Sequence, residues 1–285
     1  MCALTGTVTP APLLLVAFVA TFANATGDPL GQHHSPATQI TPDNVTQLEP
    51  AWTHRNGDMA AAEGVPSSVS AQSTPILLPR AAGEHLVYCT PFNRVIALDP
   101  QTGRERWTYD PKVRRTSERP YRCRGVAYSP VAQVEADGAC QYRIYTVTGD
   151  RRLIALDARD GRPCEQFGDR GTVTLAEHER YGLEEVGSSS PPAVANGVIV
   201  VGSSVIDFAY AEAPRGVIAA YDAITGEPRW TFDPLQGAAG TGAANAWAPL
   251  AVDDERDLVF VPTGAPSPDY YGALRVGRNG YANSV

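Results

Sequence analysis

A pattern that occurs three times organises the chain and constrains its fold more than any other feature. Each copy reads as an apolar strand, an aspartate, a short turn ending in glycine and a second strand. The copies are VIALDPQTGRERWTYD (95–110), LIALDARDGRPCEQF (153–167) and VIAAYDAITGEPRWTFD (217–233). Their aspartates, Asp99, Asp157 and Asp222, are 58 and 65 residues apart. A propeller blade of four short strands takes about 40–50 residues, and more with loop insertions, so the spacing indicates one blade per repeat.

The turn of each repeat has a composition typical of a β-hairpin. At 99–103 and 222–226, the aspartate can accept hydrogen bonds from its own turn, and the glycine supplies a positive φ. Trp107 and Trp230 stand four residues after the glycine, where we expect both rings to dock in the core. Glu165 holds that place in the second repeat, so its docking is expected to be degenerate.

Further strand candidates alternate with these hairpins, at 85–89, 142–146, 197–201 and 258–262. The content of 26 Gly and 24 Pro suits many short strands joined by turns. The sequence therefore predicts an all-β protein of the β-propeller class, with a β-sandwich as the alternative. Three to four blades leave a ring open, so we expect the chain to be part of a longer protein with exposed strand edges.

The N-terminal residues resemble a leader. An apolar run at 12–23 is shorter than the ~20 residues that span a bilayer, and Ala23-Asn24-Ala25 fits a cleavage site. Residues 1–25 are therefore predicted to be a signal peptide, although the first ten contain no Lys or Arg. A misassigned start or a truncated membrane segment is the alternative. Residues 26–285 form the predicted propeller.

The cysteine count bears on the cellular compartment of the protein, and the net charge bears on its class of ligand. Removal of the leader would take Cys2 and leave four cysteines, enough for one or two disulfides in an exported protein. Cys123–Cys140 is the favoured pair, with buried free thiols as the alternative. The cysteines form no C-x-x-C pair, so the sequence gives no indication of a structural zinc site. The net charge of -8 disfavours nucleic-acid binding.

Six segments, in order and spacing, carry a resemblance to a known family. They are QITPDNV (39–45), AW (51–52), CRGVAY (123–128), SPP (190–192), NAWAP (245–249) and SPDYYG (267–272). Together they resemble the PQQ-dependent quinoprotein dehydrogenases, in particular the membrane-bound glucose/quinate/shikimate branch, from about Asp28 onward. The resemblance implies an eight-bladed propeller, about half of it in this chain, with PQQ near its axis. It also implies oxidation of a sugar, polyol or other alcohol in the periplasm, at or near the inner membrane, with electrons passing to quinone or cytochrome.

The resemblance implies a set of residues that bind PQQ. Trp247 would stack on the planar cofactor, unless it is an ordinary core tryptophan. Arg124 would pair with a PQQ carboxylate, unless it is a solvated surface arginine. Ser189 and Ser204 would contribute hydroxyls. Gln72 stands where the family has a carboxylate, so one polar contact to the cofactor is changed.

The resemblance also implies a metal ion and places the catalytic base elsewhere. Asp207 falls at the carboxylate position that binds Ca²⁺, and Ser267 at a second, more variable metal position. Asp269 is interpreted as a turn residue. The aspartate that takes the alcohol proton is expected beyond Val285, as is a lysine that contacts the quinone. No catalytic residue is therefore assigned in this chain, which alone is expected to be inactive.

Some positions depart from the family pattern. Ser129 and Phe208 replace a histidine and an asparagine that glucose-type members often carry, which puts glucose as the substrate in doubt. We expect no counterpart of the five-helix membrane anchor of that branch in this sequence, where the short N-terminal apolar run stands in its place. The alternative function is a non-catalytic PQQ-repeat propeller, such as an outer-membrane assembly scaffold or a binding module. That class would share the repeat but lack the pocket.

Overall fold

Short β-strands are the predominant regular secondary structure of the computed structural model, which describes residues 2–3, 38–61, 69–115, 120–132, 138–175, 181–182, 185–275, 277 and 279–285. The predicted leader falls outside these ranges except for β1 (Cys2–Ala3), which pairs antiparallel with β2 (Glu49–Pro50). Within the described ranges, helices are limited to α1 (Asp58–Ala61) and the 3-10 turns Val45–Gln47, Arg80–Ala82 and Gly272–Leu274. None of these helices could reach across a bilayer.

The remaining strands form blades from consecutive chain segments. In order they are β3 (Val69–Ala71), β4 (Ile76–Leu77), β5 (Leu86–Cys89), β6 (Val95–Leu98), β7 (Glu105–Tyr109), β8 (Tyr121–Cys123), β9 (Ala127–Pro130), β10 (Tyr142–Val147), β11 (Arg152–Asp157), β12 (Thr172–Thr174), β13 (Val186–Gly187), β14 (Ala193–Ala195), β15 (Val198–Val201), β16 (Ser204–Val205), β17 (Ile218–Asp222), β18 (Pro228–Phe232), β19 (Ala251–Asp253) and β20 (Leu258–Phe260). The three complete blades are β4–β7, β9–β12 and the set β14, β15, β17 and β18, and β19 and β20 form a further pair.

The blades are arranged around their first strands. β14 lies beside both β9 and β19, which is the arrangement of inner strands around a propeller axis. The all-β propeller prediction is confirmed. Each of the four predicted strand segments contains a strand, with ends shifted by one or two residues.

Apolar residues of each blade are buried against the neighbouring blades. Successive side chains of a strand point to opposite faces of its sheet. In the second blade, Ile144 and Ile154 therefore pack toward the first blade, whereas Tyr145 and Leu153 pack toward the third. All four are fully buried. This two-sided burial explains why β11 contains an uninterrupted apolar run, Leu153 to Leu156.

The three repeat turns have the predicted chemistry. Asp99 Oδ1 accepts the N–H groups of Gln101 and Thr102 at 3.0 and 2.8 Å. Asp222 and Asp157 bond their own turns in the same way. The three turn glycines have φ values between 70° and 76°.

The turn glycines are also where consecutive blades meet. A Cβ on Gly103 would lie 2.4 Å from the Trp52 ring, and one on Gly161 would lie 2.4 Å from the Trp107 ring. Each indole donates to a turn carbonyl at 3.2 Å, Trp52 to that of Pro100 and Trp107 to that of Ala158. Only glycine lets the turn approach the ring this closely.

The expectation that both repeat tryptophans dock in the core is half right. Trp107 is 9% exposed, but Trp230 is 42% exposed on β18. The difference arises because no Asp–Gly turn of the described residues packs on Trp230. In the second repeat, Glu165 is exposed, and fully buried Phe167 packs near Gly226 instead.

The predicted disulfide Cys123–Cys140 is wrong. The structure contains Cys89–Cys123 and Cys140–Cys164, with Cα atoms 5.9 and 5.7 Å apart. Cys123 lies before β9 and Cys140 lies between β9 and β10, so they are at opposite ends of a strand. Four extended residues span about 13 Å, well beyond the ~7 Å limit for a bridge. Cys2 takes no part in either bridge.

The repeat turns predict a particular response to acid. Burial opposes ionisation of Asp222, but the Thr225 N–H and the Arg229 guanidinium outweigh it and lower the pKa of Asp222 from 3.8 to about 2. A lowered folded-state pKa gives stability that is complete above the unfolded value and is lost as the pH falls from about 4 toward 2. We expect the melting temperature of Asp222→Asn to vary less over this window than that of the wild type. Thermal melts from pH 5 to 2 measure this, with the exposed Asp254→Asn as control. Parallel pH profiles for all three proteins would contradict the assignment.

Candidate functional site

All seven residues singled out from the sequence lie at one end of the blades, here called the site end. In antiparallel blades, the segment before the first strand and the loop after the second strand emerge at the same end. Four of the residues precede the first strand of a blade, namely Gln72, Arg124, Ser189 and Trp247. The other three follow the second strand of a blade, namely Ser204, Asp207 and Ser267. The fold therefore gathers positions that span about two hundred residues of sequence.

Arg124, Ser189 and Trp247 are in direct contact. The Arg124 guanidinium carbon lies 5.1 Å from the centre of the Trp247 ring, within cation–π distance. Its Nη1 donates to the Ser189 hydroxyl, and its backbone N–H donates to the Ser189 carbonyl at 2.9 Å. The Ser190 hydroxyl donates to the Trp247 carbonyl. The indole remains 48% exposed.

The charge of Arg124 is not neutralised within the described part of the chain. No carboxylate there forms an ion pair with it. Burial lowers the pKa of the guanidinium below its usual value, and the nearby charge of Arg122 lowers it further. A partly buried cation beside a second cation and an exposed aromatic face is suited to a planar anion.

Two further residues border this group. β3 and β8 pair in parallel, with Ala71 opposite Cys123, so Gln72 and Arg124 follow at neighbouring positions. The Gln72 amide is exposed and donates to the Ser70 hydroxyl at 3.1 Å. Ser204 of β16 pairs with Gly187 of β13, and Gly187 lies two residues before Ser189 in the chain.

Asp207 lies on the loop after β16 and is exposed. Burial raises the pKa of Asp269, the charge of Asp207 raises it further, and Arg275 opposes both. The residues that follow these two carboxylates, Phe208 and Tyr270, are in contact, which places the two loops side by side. Sequence reasoning treated Asp269 only as a turn residue, because nothing local indicates that its loop approaches Asp207. Among the described residues, no cluster of three or more His, Cys, Asp or Glu side chains is arranged for a metal ion.

Ser267 has a different environment. It is 2% exposed, and its hydroxyl oxygen accepts the N–H groups of Ala213 and Gly242 at 3.0 and 2.9 Å. These bonds use both lone pairs of the oxygen. A metal ion at Ser267 would have to replace at least one of them. The role of Ser267 as a ligand stays a prediction.

One feature of the site end was missed by sequence reasoning. The rings of Phe208 and Tyr270 are stacked with centroids 4.8 Å apart and planes 2° apart. Each ring directly follows a carboxylate, Asp207 or Asp269. Phe208 was noted only as a departure from the family pattern, and its partner comes from a loop 62 residues away.

These loops define a β-propeller that presents an aromatic and cationic surface at one end of its blades. The model of the β-propeller domain of PQQ-type glucose/ethanol/alcohol dehydrogenases matches residues 23–285, and the chain belongs to that family. The resemblance seen in the sequence is thereby confirmed.

Curated relatives of this chain are quinoprotein dehydrogenases. Quinoprotein glucose dehydrogenase A of Acinetobacter calcoaceticus is 34% identical over 281 residues, which cover 90% of this chain and 34% of that protein. The quinate/shikimate dehydrogenase (quinone) of Acinetobacter baylyi is 36% identical over 264 residues, which cover 83% of this chain and 32% of that protein. The chain thus spans about a third of the length of these relatives.

Solved structures of related enzymes share the fold. The quinohemoprotein alcohol dehydrogenase ADHIIG of Pseudomonas putida superimposes with a TM-score of 0.64 at 27% identity, covering 88% of this chain and 36% of that one. The quinohemoprotein alcohol dehydrogenase of Comamonas testosteroni has a TM-score of 0.69 at 24% identity, covering 92% of this chain and 38% of that one. The second likeness concerns the fold alone.

Proposed function

We propose that the site end binds PQQ as part of a dehydrogenase that oxidises a sugar, polyol or other alcohol. One observation carries this proposal: Arg124, with no carboxylate partner among the described residues, lies over the exposed indole of Trp247. A planar cofactor with carboxylates would cover the indole and supply the missing negative charge. A scaffold propeller has no need of such a pair.

Each residue of the group has a distinct proposed role. Trp247 provides the apolar face on which the cofactor lies. Arg124 pairs with a cofactor carboxylate, and the Ser189 hydroxyl, already bonded to the guanidinium, keeps that side chain in place. Ser204 and Gln72 supply hydrogen bonds at the edge of the same surface. The Gln72 amide is neutral, so it does not compete with the cofactor for Arg124.

We propose Ca²⁺ as the accompanying ion, held in part by Asp207. Carboxylate oxygens are hard ligands that suit this ion, and Asp269 offers a second carboxylate nearby. A bound cation would relieve the repulsion between these two groups. Ser267 would join only if its hydroxyl left the backbone bonds described above.

When bound, PQQ would supply an acceptor for the two electrons of an alcohol, and a Ca²⁺ ion held in part by Asp207 would supply Lewis-acid chemistry. The residues of this chain would bind and orient the cofactor and shield one of its faces from water. None of them is proposed as the base that removes the alcohol proton, because the resemblance gives that role to an aspartate with no counterpart among the positions matched here. We therefore propose that these 285 residues bind the cofactor without turning over an alcohol.

The cellular setting is proposed on the same basis. The relatives suggest a periplasmic location near the inner membrane, with quinone or a cytochrome as electron acceptor. The two disulfides are compatible with an oxidising compartment.

A titration with PQQ tests the proposal. In the presence of Ca²⁺, we expect Trp247→Ala to weaken PQQ binding by at least about tenfold, because the stacking surface is lost. Trp230→Ala is the matched control, since Trp230 is similarly exposed but lies on an outer strand. Quenching of the remaining protein fluorescence gives both dissociation constants. Equal weakening in the two variants, or no saturable PQQ binding to the wild-type chain, would contradict the proposal.

Arg124→Gln provides an independent arm of the same titration. It removes the charge while leaving an amide that can still bond Ser189. We expect weaker PQQ binding and a smaller dependence of the dissociation constant on salt, because an ion pair is lost. An unchanged salt dependence would remove Arg124 from the proposed site.

A further inference from the structure

The stacked rings of Phe208 and Tyr270 form the most exposed aromatic surface of the described site end. Phe208 is 67% exposed and Tyr270 is 89% exposed. Their planes are almost parallel and their centroids are 4.8 Å apart, so each ring covers one face of the other and leaves its outer face open. We call this pair the aromatic platform.

The backbone at Phe208 is unfavourable for its residue type. Its φ of 63° lies in the left-handed region, which is uncommon for a bulky side chain. Stacking on Tyr270 orients the ring, but the exposed pair buries little apolar area in return. Residues kept in such conformations cluster at ligand sites. Thirteen other non-glycine residues of the described chain also have a positive φ, so the stacking and exposure of the two rings, rather than this backbone angle, point to a ligand site.

The chemistry beside the platform is that of hydroxyl recognition. Asp207 precedes Phe208 and Asp269 precedes Tyr270, so each ring is adjacent in sequence to a carboxylate that can accept hydrogen bonds from hydroxyl groups. The nearest described cation on this loop, Arg275, donates its Nε–H to the Pro268 carbonyl at 3.0 Å. An apolar face bordered by acceptors suits a ligand with one C–H face and a rim of hydroxyls.

We infer that the aromatic platform is a specificity determinant of the alcohol site and selects alcohols whose carbon skeleton is a ring. This inference rests on the proposed function. The C–H face of a six-membered ring covers an aromatic ring, whereas an open-chain polyol with a hydroxyl on every carbon offers little apolar surface. Phe208 and Tyr270 act as binding residues that orient the alcohol beside Asp207.

Direct binding without cofactor tests the inference separately from the proposed function. Saturation-transfer NMR on the full chain would compare cyclohexane-1,2-diol with glycerol, each in the presence of Ca²⁺. We expect saturable binding of the cyclic diol and much weaker binding of glycerol. Phe208→Ala and Tyr270→Ala should each weaken binding of the cyclic diol by roughly three- to tenfold. Tyr271→Ala is the matched control, because Tyr271 is 69% exposed and adjacent.

Phe208→Gly separates binding from a structural role. Glycine accepts a φ of 63° without strain, so we expect an unchanged or higher melting temperature together with the loss of diol binding. A lower melting temperature would show that the ring serves packing, and would overturn the inference. So would undetectable diol binding, equal binding of glycerol, or an equal effect of Tyr271→Ala. Retained PQQ binding in the platform variants, with diol binding lost, separates this result from failure of the cofactor site.

Discussion

Replacement of Trp107 by alanine is expected to lower the free energy of unfolding by about 3–5 kcal/mol. The ring is buried between the first two blades, stacks on Gly161 and donates to the Ala158 carbonyl. Alanine leaves a cavity and an unpaired carbonyl at the place where the blades meet. Denaturant unfolding followed by circular dichroism measures the change without relying on tryptophan fluorescence.

Trp230→Ala is the matched control for this measurement, because it removes the same residue from the same repeat position. Trp230 is 42% exposed and no described turn packs on it, so we expect a loss of less than about 1 kcal/mol. Gly161→Ala tests the contact between the Trp107 ring and the turn that packs on it, since the added Cβ would lie 2.4 Å from the ring at a φ of 75°. Equal losses for Trp107→Ala and Trp230→Ala would mean that turn docking does not stabilise the blades.

Removal of the Cys89–Cys123 bridge is expected to cost about 3–4 kcal/mol, the chain-entropy value for a loop of its size. The bridge closes a separation of 34 residues and joins β5 of the first blade to β8. The double variant Cys89→Ser and Cys123→Ser should therefore melt well below the oxidised wild type. The reduced wild type should melt close to the variant in which both bridges are removed.

Non-reducing peptide mapping checks the pairing itself. Digestion should release linked peptides that contain Cys89 with Cys123 and Cys140 with Cys164. Recovery of a Cys123–Cys140 peptide would contradict the structure. A double variant with the melting temperature of the oxidised wild type would show that the bridge adds no stability.

The blade repeat could be predicted from the sequence because its determinants are local. An aspartate that bonds its own turn and a glycine at positive φ lie within five residues of each other, and both occur in all three repeats. The burial of Trp107 followed from the same pattern. The exposure of Trp230 could not, because it depends on what packs against the outer strand of that blade.

Contacts between loops that are distant in the chain could not be predicted from the sequence. The disulfide prediction failed because proximity along the chain was taken as proximity in space, although β9 separates Cys123 from Cys140. The resemblance identified Arg124, Ser189 and Trp247 as separate positions, but only the fold shows the first in contact with the other two. The stack of Phe208 on Tyr270 had no sequence signal, because each ring lies in a different loop.

The double attachment of β8 has a practical consequence for preparing this protein. Cys123 ends a strand that is hydrogen-bonded to β3 and covalently bonded to β5, so the first blade positions Arg124 although Arg124 precedes the second. In a reducing host cytoplasm only the hydrogen bonds would remain. The thiol content of each preparation should therefore be measured before cofactor affinities are compared, because the oxidation state of one bridge determines how firmly the cationic side chain is held.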